Sequence, residues 1–148
     1  MIEHAKEVAD ELSKLLAETY TLYLKTHNYH WNVTGPMFHG LHTMFEVQYT
    51  ELALAVDSIA ERIRALGAFA PGSYAAYARL SQVKDDETVP PAKTMLANLA
   101  ADHRLVAERA NKVMKLAAQH EDEGTSALAS ARIEIHEKTA WMLSAHLE

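Results

Sequence analysis

Cysteine is absent from all 148 residues. Disulfides and thiolate metal ligands are thereby excluded, and a reducing compartment is allowed. Glycine and proline are scarce, at 5 and 4 residues, and runs of β-branched residues are missing; both favour long helices over sheets. Aromatic residues are few, at 7%. No apolar run approaches the roughly 18 residues of a membrane span, so no membrane association is expected, and Met1-Ile2-Glu3-His4 does not read as a signal peptide. Positive charge is also short: 14 Lys and Arg stand against 20 Asp and Glu, a net charge of −6. Lys6 and Lys14 in the first twenty residues face Glu3, Glu7, Asp10, Glu11 and Glu18, an acidic start. Unassisted binding to nucleic-acid phosphates is disfavoured on these grounds.

What remains is an alanine-rich chain, 49% hydrophobic, with helical periodicity. A first helix runs from about Glu3 to Val33 on the stripe Val8, Leu12, Leu15, Thr19, Leu22, Thr26, Tyr29, Val33, in alternating steps of four and three. Thr34-Gly35-Pro36 breaks it. A second helix runs from about Phe38 to Leu66 and stops at Gly67. Residues 68–90 form a long connection through Pro71-Gly72, with a short helix from Tyr74 to Val83 capped by Ser73. Pro90-Pro91 opens the next helix, whose stripe is Leu96, Leu99, His103, Val106, Ala110, Val113, Ala117. After the acidic link Glu121-Asp122-Glu123-Gly124, Thr125 is expected to cap the last helix. Four long helices in a chain of this size indicate an all-α antiparallel four-helix bundle with an extra short helix in the long connection, one domain over residues 1–148.

Nine histidines are many for this length. Four flank the first turn as His27/His30 and His39/His42. If the turn reflects the chain near residue 36, His30 falls opposite His42, a natural start for a metal site. At 100° per residue His30 lies on the apolar stripe, in line with Leu12, so the competing reading is a core histidine satisfied by a hydrogen bond. The second helix carries His42/Glu46 and Asp57/Glu61, each at i, i+4 on one face. His42 and Asp57 are too far apart for one ion within one chain, roughly 22 Å along the helix. A two-fold axis near residue 51 would bring His42 of one copy level with residue 60 of the other, between Asp57 and Glu61. Each site would then hold His30 and His42 from one subunit, Asp57 and Glu61 from its neighbour, and Glu46 nearby. The bland alternative is a solvated face on which Asp57 and Glu61 pair with Arg62, Arg64 or lysines. Imidazole with carboxylate suits Fe(II), Mn(II) or Zn(II). No histidine has a glutamate three residues before it, which argues against an intra-bundle di-iron centre.

The stretch His27-Asn28-Tyr29-His30-Trp31-Asn32-Val33-Thr34-Gly35-Pro36-Met37-Phe38, then Leu41-His42, Tyr49-Thr50-Glu51-Leu52 and Asp57-Ser58-Ile59-Ala60-Glu61-Arg62, resembles the Dps family, the DNA-binding proteins from starved cells, within the ferritin-like superfamily. The likeness extends to His136-Glu137-Lys138-Thr139-Ala140-Trp141-Met142. It implies a homo-dodecameric shell in the bacterial cytoplasm, associated in some cases with the nucleoid. It also implies Fe(II) as substrate with H2O2 preferred to O2 as oxidant, and ferric mineral kept in the cavity. By position it implies His30 and His42 from one subunit and Asp57 and Glu61 from the other as ligands, and Glu46 as support for a second iron. Zn2+ and Mn2+ are possible substitutes for iron. Trp31 matches a tryptophan beside such sites, an electron donor that limits radical escape or else plain interface packing. Glu121, Asp122, Glu123 and Glu134 are candidates for acidic entry pores, with an ordinary solvated turn and helix face as the alternative.

Many members of that family bind DNA through a basic tail. Neither end here offers one, and the acidic balance repels DNA, so a DNA-coating structural protein with little ferroxidase role is the weaker alternative, and a monomeric di-metal oxygenase a third. Among the other histidines, His103 is expected in the core. His27 with His39 is an optional accessory metal pair. His4, His120, His136 and His146 are expected at the surface or an interface.

Overall fold

A computed structural model describes residues 3–148, with side chains from His4 onward; Met1 and Ile2, on which the signal-peptide reading partly rests, lie outside the described residues. Five helices follow in order: α1 Glu3–Asn32, α2 Phe38–Ala65, α3 Tyr74–Leu80, α4 Ala92–Gln119 and α5 Glu123–Ala145. No strand occurs among the described residues. The α1 packs on α2 and α4, α4 on α5, and α3 lies against α1.

The α1 stripe from Val8 to Val33 is buried throughout, each residue at 2% exposure or less. Threonine fits in it because Thr19 and Thr26 return their hydroxyls to the carbonyls of Leu15 and Leu22, 2.7 Å away, which leaves only methyl surface for packing. The α4 stripe is buried in the same way. Each fully buried aliphatic side chain contributes roughly 1.5–3 kcal/mol, and these two rows meet at the centre of the bundle.

Buried charges fix how α1 sits on α4. Arg109 reaches Glu11 at 3.0 Å and Glu18 at 3.1 Å, and Lys25 pairs with Asp102 at 2.8 Å. Removing one partner of such a pair strands a buried charge and costs roughly 3–5 kcal/mol. The same groups anchor the long connection. Glu18 accepts the Gln82 backbone N–H at 3.0 Å, and Lys25 donates to the Lys84 carbonyl at 2.8 Å.

Two ends differ from expectation. The short helix stops at Leu80, not Val83, because Ser81 is extended and turns its hydroxyl to the Val83 carbonyl at 2.7 Å. Its start is as expected, with Ser73 accepting the Ala76 N–H. The α5 cap is Asp122, not Thr125. The Asp122 carboxylate accepts the Thr125 N–H at 3.1 Å and the Thr125 hydroxyl at 2.6 Å. Carboxylate is the stronger cap, since it satisfies an orphan N–H and meets the positive end of the helix dipole. Arg62 of α2 closes the arrangement, donating to Asp122 at 2.8 Å and to Thr125 at 2.9 Å. Its guanidinium lies so close to Gly124 that a Cβ there would meet it at 2.9 Å, which explains a glycine in the first turn of a helix. Just beyond Arg62, at the same end of α2, the chain leaves through Gly67, φ +98°, a conformation that glycine adopts without penalty.

Candidate metal centre

The α1–α2 turn places His30 and His42 face to face, ring centroids 3.8 Å apart and nearly parallel. Two reciprocal hydrogen bonds hold them. His30 Nδ1–H donates to the His42 carbonyl and His42 Nδ1–H to the His30 carbonyl, each 2.7 Å. A carbonyl can only accept, so both rings carry their proton on Nδ1 and keep an unprotonated Nε2, the form a metal needs. The arrangement has a local cause. α1 ends at Asn32, so the His30 carbonyl lies among the last four of the helix, which lack an intrahelical partner. His42 supplies that partner and gains its orientation in return, the fixing of a ligand by its other ring nitrogen that metal sites use. His30 is 6% exposed; its Nε2 lies 3.9 Å from Glu46 Oε1. His30 is thus both the buried, hydrogen-bonded histidine and one of a facing pair.

Asp57 and Glu61 lie further along α2, exposed to solvent. Their cationic neighbours are otherwise engaged: Arg62 with Asp122 and Thr125, Arg64 with the Ala68 carbonyl and the Phe69 ring. Among the described residues neither carboxylate has an ion-pair partner, so the solvated salt-bridge alternative is not what the chain adopts. Within one chain the described residues bring no three His, Asp or Glu side chains together around a common point. His42 and the two carboxylates stand at separate levels of one face of α2, with His30 of α1 opposite His42. Between them that face exposes Val47 at 67% and Leu54 at 69%.

Trp31 is 59% exposed and packs against His27, centroids 3.8 Å apart and rings tilted by 32°. His27 is held from the other side by Tyr49 at 4.2 Å. His39 is exposed, and the described residues form no His27–His39 metal pair.

The ferritin-like domain family model matches residues 9–148. DNA protection during starvation protein 2 of Bacillus anthracis is 37% identical over 142 residues, 96% of this chain and 97% of that one. The crystal structure of a Dps protein from Bacillus brevis superposes at a TM-score of 0.96, with 32% identity and coverage of 100% of this chain and 99% of that one. The chain belongs to the Dps family. The Vibrio cholerae O1 Dps structure, from a broad superfamily of ferritin-like diiron-carboxylate proteins, matches at a TM-score of 0.94 with 35% identity, covering 98% and 91% of the two chains. Membership carries the general function of these ferritin-like proteins, iron storage with ferroxidase-type chemistry.

In this Dps chain the acidic residues considered for an entry pore divide. Asp122 is taken up by its cap and by Arg62, which hold its carboxyl below the usual range against the opposing effect of burial. Glu121, Glu123 and Glu134 remain exposed. His136 is not a surface residue. It is fully buried at 0% exposure, with its Nδ1 2.9 Å from His103 Nδ1 and its Nε2 3.0 Å from Arg132. Arg132 holds Glu51 of α2 through its two terminal guanidinium nitrogens. Arginine can only donate, so His136 Nε2 accepts, its Nδ1–H donates to His103, and His103 carries its proton on Nε2. Sequence reasoning placed His103 correctly and missed its partner. The available signal was spacing: Arg132, His136, Ala140 and Leu143 continue one helix face.

Proposed function

We propose that this chain is one subunit of a dodecameric shell that oxidises Fe(II), with H2O2 preferred to O2, and stores the ferric product. The reaction site joins His30 and His42 of one subunit to Asp57 and Glu61 of its neighbour, with Glu46 beside the histidines. The observation that carries this reading is the pair of facing imidazoles, His30 on α1 and His42 on α2, both locked with Nε2 free, while the unpaired carboxylates Asp57 and Glu61 stand further along α2 beyond their reach. A two-fold axis across the Val47–Leu54 face completes both half-sites at once and covers those apolar side chains. The same face could instead belong to a structural protein, but locked tautomers and unpaired carboxylates have no use there.

The residues fit iron as substrate. Two neutral imidazoles and two carboxylates give a site that binds Fe(II) and favours Fe(III), because carboxylate charge stabilises the product more than the reactant. The imidazoles keep the total negative charge below that of an all-carboxylate site, so the product can move on to mineral. Zn2+ and Mn2+ suit the same donors and would compete. The setting is the bacterial cytoplasm, and DNA is protected by removal of iron and peroxide, since a chain of net charge −6 has no general attraction for phosphates. Residues 1–148 act as one domain.

Stopped-flow Fe(II) oxidation tests the ligand set. Asp57→Asn and Glu61→Gln should slow oxidation roughly 10–100-fold, an ordinary cost for a lost ligand charge, and Glu46→Gln less. Wild-type rates in Asp57→Asn and Glu61→Gln would place the site elsewhere. Because imidazole binds metal only when neutral, the wild-type rate should fall on acidification.

A further inference from the structure

Five of the six tyrosines form one connected series that begins at the histidine pair. The Tyr49 ring lies 5.1 Å from His30 and stacks on His27 at 4.2 Å. Tyr23 follows at 6.1 Å from Tyr49, and Tyr20 at 5.7 Å from Tyr23. Tyr20 then meets Tyr77 at 4.9 Å and Tyr74 at 6.3 Å. Trp31 joins at the first end through His27, at 3.8 Å. Tyr20, Tyr23 and Tyr49 are half-buried, places that Leu or Phe would fill equally well. Aromatic rings at these separations are close enough for an electron to pass stepwise from one to the next.

We propose that this series is an electron-transfer ladder that carries an oxidising equivalent from Trp31, beside the histidine pair, to Tyr74 on α3. The oxidant is hydroxyl radical, formed when peroxide meets a single ferrous ion and only one electron is at hand. It removes the indole N–H hydrogen of Trp31, giving water and a neutral indolyl radical. That radical takes one electron from the ladder and one proton from water, which restores the indole. Tyr74 supplies the electron and releases its phenol proton to water, leaving a tyrosyl radical. In sum, hydroxyl radical and a phenol become water and a phenoxyl. Tyr74 is the terminus because it is 73% exposed and can shed its proton. Tyr77 is buried, and its hydroxyl is bonded to the Pro71 carbonyl at 2.8 Å, which is no base. The path leads damage away from His30 and His42. Only the source of the radical rests on the proposed iron chemistry.

The test therefore uses no iron. In a Trp141→Phe background Trp31 is the sole indole. A laser flash at the red edge of indole absorption, where phenol does not absorb, ionises it in the assembled protein. The indolyl absorption should decay as the phenoxyl absorption grows, and Tyr49→Phe, which keeps the ring, should lengthen the indolyl lifetime roughly tenfold or more, the size of a modest barrier increase. With Tyr20→Phe the phenoxyl should still form, but oxidation products mapped to Tyr74 by peptide mass spectrometry should vanish. Tyr29→Phe, outside the series, should change neither readout. Equal indolyl decay in the parent and Tyr49→Phe would overturn the ladder, as would undiminished Tyr74 oxidation in Tyr20→Phe; neither result would bear on the iron site.

Discussion

His30 and His42, the imidazoles of the proposed site, serve the fold directly. Each ring closes the turn through Nδ1 and leaves Nε2 without a proton in its neutral form, so the bonds that satisfy backbone carbonyls also select the tautomer that the proposed site needs. His103 and His136 show the opposite use. Burial, with Arg132 adding to it, drives the His103 pKa down to about 3 and that of His136 well below its ordinary value. Both stay neutral in the fold, whereas in the unfolded chain they would take up a proton near the ordinary value of 6.5. Above that pH the pair has no effect on stability. Below it the unfolded state binds more protons, so stability falls as pH drops, by up to about 1.4 kcal/mol per pH unit for each group. Denaturant unfolding between pH 6.5 and 5 should show this slope, in a window above the range where carboxylates titrate. A His103→Gln/His136→Gln double variant should flatten it. An unchanged slope in that variant would assign the acid sensitivity to other groups.

The helices were legible to different degrees, for a physical reason. α1 and α4 bury rows that are almost wholly apolar, so period and burial coincide and both stripes could be read residue by residue. α5 buries Thr125, Ala129, Arg132, His136, Ala140 and Leu143, a regular face in which every residue but Leu143 is polar or small. Hydrophobicity does not mark it, and His136, expected at the surface or an interface, lies instead in the core. The α5 cap was misread for a related reason. Thr125 has the right chemistry, but its hydroxyl is spent on Asp122 and on Arg62, the latter 63 residues away in sequence, where local reading cannot see it. Asp122→Ala should therefore destabilise the protein by roughly 1–2 kcal/mol, and Asp122→Asn, itself a good cap, by clearly less. Thermal or denaturant unfolding measures both. Equal losses would mean that the charge on Arg62, not the cap, is what matters.

At the scale of the whole molecule, the clearest sign in the sequence was a mismatch. Candidate ligands stood on one helix face, too far apart to share an ion, and the proposed site uses a second copy to reconcile them. The exposed Val47 and Leu54 between them were not singled out from sequence, because a helix of mixed residues does not reveal which of its apolar side chains the bundle leaves uncovered. If that face is the two-fold contact, Leu54→Lys should place a charge in it and shift the particle from about twelve chain masses toward small species in analytical ultracentrifugation. An intact shell from Leu54→Lys would move the contact to another face. The most direct test of the split site is complementation. Subunits carrying His30→Ala with His42→Ala are co-assembled with subunits carrying Asp57→Asn with Glu61→Gln, and Fe(II) oxidation is measured. Each mixed dimer should regain one complete site, so random mixing should restore roughly a quarter of wild-type activity from two inactive parents; mixtures as inactive as either parent would contradict a site shared between subunits.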